Sequence, residues 1–486
     1  MKVRGLHILK KLLIGLLYTV LGTVVGVLGL YIYILQSGPK LQIWHKVHLE
    51  QEFTAAMSDE VETLEDYLAL EERLFQEMED KVYSQTSGGR VFALNRYQHG
   101  SLSDPTGYEP NYNRTFEWKS PAAKAGLLLL HGLSDSPYSM VGLGRVLHAK
   151  GMQVLGLRLP GHGTVPAALV HAQWQDLAAA TRIGMRHLRK TLGPDKPIYI
   201  LGYSTGAALA VNYSLDALGD KELPRAKALV LISPAIGVSP AATFAKWQSR
   251  LSWVLGMEKV AWTDLLPEYD PYKYGSFAVN AGDLIHQLTL AIGKKLDALT
   301  TKGGTGDFPR TLAISSSVDA TVSMGAVVDQ FLARVGNEGN EFVLFDIDRL
   351  RELQPILAKD PQPEIQAILG TKELAFTLTI VTNKNPETRE VVTQVRVPGS
   401  QSLSVTDVHE SWPLGVHSLA HVSLPFSPAD PLYGATQSSP GALHLGDLDA
   451  RGEKGVLSIP AGGILRLRYN PFFRYTKQRI LTFLGQ

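Results

Sequence analysis

The sequence predicts a mostly parallel, doubly wound α/β sheet preceded by one membrane-crossing helix. Three observations carry this reading. Short apolar runs alternate with helical patterns from residue 125 onward. One of those runs ends in Gly202-Tyr203-Ser204-Thr205-Gly206. Close to the N-terminus stand 24 uncharged residues, Leu12 to Leu35.

The N-terminal run comes first in the chain. As a helix it is about 36 Å long, enough to cross a hydrocarbon core of about 30 Å. Lys2, Arg4, Lys10 and Lys11 precede it and no acidic residue does. Residues 1–11 therefore read as a cytoplasmic basic tail, residues 12–35 as the anchor, and the rest as lying outside. A cleaved signal peptide has a shorter apolar core and a small-x-small cleavage site. Here the run is longer and Leu35-Gln36-Ser37 is a poor site. Gly22 and Gly26 form a GxxxG pair that offers a homodimer contact between two such helices.

Residues 36–122 read as an acidic amphipathic helix and linker. Over residues 47–82, Met57, Val61, Leu64, Leu68, Phe75, Met78 and Val82 recur at helical spacings, which predicts one long helix. Twelve acidic residues and one basic residue, Arg73, lie between Glu50 and Asp80. The apolar stripe is expected to dock on the following domain. A coiled coil between anchored copies, interrupted at Glu71, is the second route to a homodimer.

In residues 123–486 the pattern changes. Ala125–His131, Gln153–Leu159, Ile198–Tyr203, Ala228–Ser233, Arg310–Ser316 and Glu341–Asp346 read as strands, most of them apolar throughout, as in a sheet covered on both faces. Helices are expected at Thr205–Leu218 and Met324–Val335. Two insertions break the rhythm. Residues 235–306 carry Trp247, Trp253, Trp262, Tyr269, Tyr272 and Tyr274, and insertions of this length are often functional lids or binding loops. Residues 349–416 contain a predicted hairpin, Phe376–Val381 with Val391–Val397. Ligand sites in such sheets lie beyond the carboxyl ends of the strands.

Residues that carry chemistry fall there. In Gly202–Gly206, a strand ends and a helix begins with small residues on either side of Ser204, the setting of a nucleophile elbow. Acyl chemistry also needs two N–H groups aimed at the developing oxyanion. Thr205 follows the nucleophile and supplies one. Leu133, in the loop after Leu128-Leu129-Leu130-His131-Gly132, supplies the other. His131 itself reads as a loop-shaping residue. Asp319, after the fifth strand, is the candidate acid that orients the base, with Asp307, Asp346 and Asp348 as rivals. The chain order Ser, Asp, His then leaves His409, His417, His421 and His444 for the base. His421 is preferred for its place in a loop backed by apolar residues, with His417 next.

Other classes are excluded or unsupported. Charge is balanced, 47 Lys+Arg against 46 Asp+Glu, so no basic face for nucleic acid is expected. There is no cysteine, hence no cysteine nucleophile, disulfide or thiolate metal site. No HExxH, Walker A or Rossmann glycine pattern occurs, and neither metal nor cofactor is predicted.

The segment His131-Gly132-Leu133-Ser134-Asp135-Ser136-Pro137-Tyr138-Ser139-Met140 resembles the oxyanion segment of bacterial carboxylesterases and monoacylglycerol lipases of the α/β-hydrolase superfamily. Leu157-Arg158-Leu159-Pro160-Gly161-His162-Gly163-Thr164 resembles their PGHG loop, Gly202–Gly206 their elbow, and Val318-Asp319 their acid position. The resemblance covers about 123–235 and 308–335. It implies an α/β-hydrolase fold and a lid at 235–306 that admits an acyl chain. It also implies a PGHG loop that supports the oxyanion loop. With the anchor, it implies a serine esterase or lipase on the periplasmic face of a bacterial inner membrane, acting on a small-molecule or lipid ester through Ser204, Asp319 and His421. Acyl transfer with the same residues and an inactive interaction module are the alternatives. Amide cleavage is disfavoured by the lack of a peptide-gating domain.

Overall fold

The computed structural model describes residues 2–86, 94–237, 258–301, 306–336, 339–437, 442–446 and 466–486. The apolar runs become strands: β1 (Phe116–Trp118), β2 (Ala125–Leu130), β3 (Met152–Leu157), β4 (Ile198–Tyr203), β5 (Ala228–Ile232), β8 (Arg310–Ser316) and β9 (Glu341–Phe345). β2, β3, β4 and β5 are buried along their whole length, which is why their sequences are continuous rather than alternating. Between β5 and β8 a small pair forms from β6 (Trp262–Asp264) and β7 (Phe277–Ala278).

The segment 349–416 does more than the predicted hairpin. It supplies β10 (Thr377–Asn383), β11 (Glu390–Arg396) and β12 (Ser404–Ser411), and all three extend the central sheet. The order across the sheet is β1-β3-β2-β4-β5-β8-β9-β10-β11-β12. From β3 to β10 every neighbouring pair is parallel; β1 pairs antiparallel with β3 at one edge, and β11 pairs antiparallel with both β10 and β12 at the other. β12 is largely exposed and lacks the apolar pattern that would reveal it in sequence.

Helices cover both faces. Trp174–Leu192, Thr205–Gly219 and Val279–Thr301 pack on one face, and Tyr138–His148 with Phe473–Leu484 on the other. The helix expected at Met324–Val335 is α-helical only over Met324–Val327 and continues as a π turn, Val328–Leu332. Trp247 and Trp253 lie outside the described residues.

The long helix expected over 47–82 is a correction. The α-helix is confined to Leu64–Lys81, preceded by a short turn at Ile43–Lys46 and a 3-10 turn at Ala55–Met57. Thr63 starts it through a capping box: Thr63 Oγ1 accepts from the Asp66 N–H and the Thr63 N–H donates to the Asp66 carboxylate. Upstream, the Ala55 N–H is taken by the Asp176 carboxylate, so the chain leaves helical geometry to reach the domain. The buried face is Leu64, Tyr67, Leu70, Glu71, Leu74, Phe75 and Met78, whereas Leu68 is 39% exposed. That face is used within the chain, in two apolar clusters shared with the domain, which removes the coiled-coil route to a dimer.

Glu71, the residue that spoils a coiled-coil seam, has a partner instead. Arg158, 1% exposed, pairs through Nε with Glu71 at 2.9 Å and through Nη2 with Glu52 at 3.1 Å. Nη1 also donates to the His162 carbonyl, and the Tyr67 hydroxyl donates to the Arg158 carbonyl. Removing one partner of a buried pair leaves an uncompensated charge. Glu71→Ala is therefore expected to lower stability by about 3–5 kcal/mol in urea unfolding. Glu72→Ala, which breaks an exposed pair with Arg114, should cost less than about 1 kcal/mol. Equal effects would remove the special role of the buried cluster.

Two further side chains tie this outer segment and the PGHG loop to pH. His45 is buried, with Nδ1 accepting from the Gln42 N–H and Nε2 against Ser276 Oγ at 2.9 Å. His162 is fully buried, with Nδ1 on the Pro160 carbonyl. Burial lowers each from 6.5 to about 4. Both are neutral in the fold and charge more readily when unfolded. Their contribution is thus complete above pH 6.5 and lost as pH falls from 6.5 towards 4. The unfolding free energy should hold above neutrality and drop through that window by roughly 3 kcal/mol per histidine. His162→Asn should flatten the drop; a slope unchanged in that variant would contradict the assignment.

Candidate active site

The carboxyl ends of β2, β4 and β8 converge on one edge of the sheet, and each delivers a candidate residue there. β4 ends at Tyr203, Ser204 turns with φ 54° and ψ −113°, and the helix Thr205–Gly219 begins at the next residue. A positive φ in a non-glycine residue is strained and marks a turn held by its surroundings. The hold is visible. The Ser204 N–H donates to the Ile232 carbonyl of β5 at 2.9 Å, and its carbonyl accepts from Ala207, Ala208 and Ala235. A Cβ on Gly206 would strike the Leu130 carbonyl of β2, and one on Gly202 would strike Gly206 and Ala207. Both glycines are required by close approach of helix and strand.

Asp319 stands three residues beyond β8. Its Oδ1 accepts from the Thr321 and Val322 N–H groups at 2.8 and 3.0 Å, and its Oδ2 meets His421 Nδ1 at 2.7 Å. Burial pushes the carboxyl up, but the adjacent His421 and these hydrogen bonds outweigh it and leave Asp319 below the usual range. The ring of His421 is buried and lies 5.2 Å, centroid to centroid, from that of Tyr203 beside the elbow. The loop carrying it is pinned to β8 by Ser316 Oγ, which donates to the Leu419 carbonyl at 2.9 Å. No hydrogen bond joins the Ser204 hydroxyl to His421 among the described residues; in free enzymes such bonds are often long and tighten with substrate.

The rivals are placed elsewhere. Asp307 is exposed beside Arg225, Asp346 is held by Arg349 and Thr382, and Asp348 accepts from Asn383. His409 and His417 are exposed, and His444 meets the Gly434 carbonyl.

Around the serine, the Leu133 and Thr205 N–H groups donate to no protein acceptor among the described residues. Thr205 also heads a helix, where the dipole favours negative charge. His131 shapes this loop. Its Nε2 accepts from the Leu159 N–H at 3.0 Å, which leaves the proton on Nδ1 to donate to the Gly132 carbonyl at 2.9 Å. Burial holds it well below 6.5 and therefore neutral. The PGHG loop reaches the oxyanion loop through this bond.

Sequence reasoning missed a second brace. Lys273 Nζ pairs with the Asp135 carboxylate at 2.8 Å and donates to Ser134 Oγ at 3.1 Å. The neighbouring Tyr274 N–H donates to the Ser134 carbonyl, and its hydroxyl to the Gly161 carbonyl. Residues 273 and 274 of the insertion thus clamp both loops. No spacing pattern announces such a contact across about 140 residues; only the aromatic density of the insertion hinted at packing.

Residues 121–344 match the family model described as serine aminopeptidase, S33. No curated protein sequence matches the chain. Among solved structures, one from work on LipS and LipT, two metagenome-derived lipolytic enzymes, is 18% identical, covers 53% of this chain and 97% of its own, and has a TM-score of 0.37. The monoacylglycerol lipase of Paleococcus ferrophilus is 15% identical over 48% of this chain and 88% of its own, with a TM-score of 0.36. A soluble variant of monoglyceride lipase from Saccharomyces cerevisiae is 16% identical over 48% and 82%, with a TM-score of 0.37. The match to that family model takes in a little under half of the chain, and it spans the strands β2 to β8 and the strained serine turn described above.

Proposed function

We propose that the protein is a membrane-anchored serine hydrolase that cleaves carboxylic esters through an acyl-enzyme. The observation that carries this reading is the 2.7 Å bond between Asp319 and His421, 102 residues apart in sequence, beside the serine turn. In the first half-reaction His421 Nε2 takes the Ser204 proton as Oγ attacks the ester carbonyl. The oxyanion is held by the Leu133 and Thr205 N–H groups, and the alcohol leaves with the proton returned from His421. Water then repeats the sequence and releases the acid. Asp319 holds the Nδ1–H tautomer and balances the imidazolium.

Amide cleavage is named by the family description, and an aminopeptidase would need a free carboxylate near the serine to hold a substrate ammonium. Asp135 is already paired with Lys273 and Asp319 with His421. An envelope acceptor in place of water would make the same chemistry an acyl transfer.

The helix Lys2–Ser37 contains an apolar window, Lys10–Val27, with mean hydropathy 1.6 and no part of it buried. We read it as a retained anchor rather than a signal sequence, with the basic N-terminus inside and the catalytic domain outside a bacterial inner membrane.

A fluorophosphonate probe should label the wild type at Ser204 and not label Ser204→Ala. His421→Ala should slow p-nitrophenyl butyrate hydrolysis by roughly 10⁶-fold, the loss expected without the base, and Asp319→Asn by roughly 10⁴-fold, the loss expected without control of its tautomer. Labelling that survives in Ser204→Ala would end the serine assignment. A wild-type rate in His421→Ala would move the base elsewhere.

A further inference from the structure

The helix Lys2–Ser37 does not hand over to a slack linker. The Gly38 carbonyl, one residue past its end, accepts from Lys259 Nζ at 3.1 Å. Lys46 pairs with Glu258 at 3.6 Å, and the Ala167 N–H donates to the Trp44 carbonyl. Trp44 and His45 are buried, and His45 meets Ser276. Residues 38–47 are therefore packed against residues 258–278 and the PGHG loop region.

The same seam reaches the loop after β2. Leu41 packs on the apolar cluster built around Trp262, Tyr274 and Ala278, and so does Leu133, whose N–H is the proposed oxyanion donor. Four residues of chain reach at most about 14 Å. A domain of this length has a radius of gyration of about 22 Å. Leu41, and with it the near side of the cluster that Leu133 also joins, therefore lies within about 14 Å of the end of the apolar helix.

Resting on the anchor and the serine chemistry proposed above, we infer that the enzyme draws its acyl ester from the lipid surface beside its own anchor, across the seam where residues 38–47 meet residues 258–278. A long acyl chain partitions strongly into a bilayer, so its concentration in water is negligible. A site held against the surface meets such an ester at its membrane concentration. Lys40 is exposed at the start of this seam and Lys259 is tied to the Gly38 carbonyl, while the charge of Lys46 is balanced by Glu258.

The test uses the full-length protein in phosphatidylcholine vesicles that also contain a fluorogenic long-chain glyceryl ester, with p-nitrophenyl butyrate as the soluble substrate. A helical spacer of five Glu-Ala-Ala-Ala-Lys repeats between positions 37 and 38 adds about 37 Å where helical and leaves the seam intact. The spacer should cut turnover of the vesicle ester at least tenfold and leave the soluble ester within twofold. In the wild type, ester in the enzyme's own vesicles should be hydrolysed at least tenfold faster than ester in separate vesicles. This second comparison needs no variant to fold. Equal rates in either comparison, with Ser204-dependent hydrolysis of the soluble ester intact, overturn the inference alone. Absence of Ser204-dependent hydrolysis of both esters overturns the esterase reading and the inference with it.

Discussion

The close approach of the helix Thr205–Gly219 to the end of β2 is the constraint from which the rest of the site follows. Gly206 sits where any Cβ would strike the Leu130 carbonyl, and Gly202 where it would strike the turn itself. The chain can pass from strand to helix in one residue only if that residue takes a positive φ, and Ser204 does. The turn then puts a hydroxyl, a helix N-terminus and the loop after β2 at one edge of the sheet. A looser turn would separate the serine from the Leu133 and Thr205 N–H groups and disperse the site.

Around that point the fold spends polar interactions where it cannot use apolar ones. The loops after β2 and β3 carry backbone groups that strands no longer satisfy. His131 joins them as a neutral donor and acceptor, and Tyr274 and Lys273 close them from outside. Arg158 extends the brace outward to Glu52 and Glu71. The charges are buried, but each guanidinium nitrogen has an acceptor, which keeps the desolvation cost from being left unopposed. The segment between the apolar helix and β1 is thus part of the support of the site.

The same connectivity gives the molecule a direction. The insertion after β5 contacts the oxyanion loop through Lys273 and Tyr274 and the residues following the apolar helix through Lys259 and Ser276. Loop order and packing then point one side of the domain towards the end of the apolar helix.

The parallel core, the serine turn, the apolar helix and a short list of candidate acids and bases are legible in the residues alone. Each of these is written in local pattern: buried parallel strands are continuously apolar, an elbow needs small neighbours, and a long apolar helix shows as a run without charge. The sequence reading misjudged the acidic helix, because a 3.6-residue stripe does not say where capping by Thr63 begins or which partner Glu71 finds. It read 349–416 as an insertion with a hairpin, because the exposed β12 has no periodic signature. That Asp319 meets His421 rather than another of the four histidines is settled by the three-dimensional fold. Only it brought Lys273 to Asp135 and Glu71 to Arg158. These are pairings between segments roughly 90 to 140 residues apart, chosen by how the sheet folds and not by any spacing along the chain.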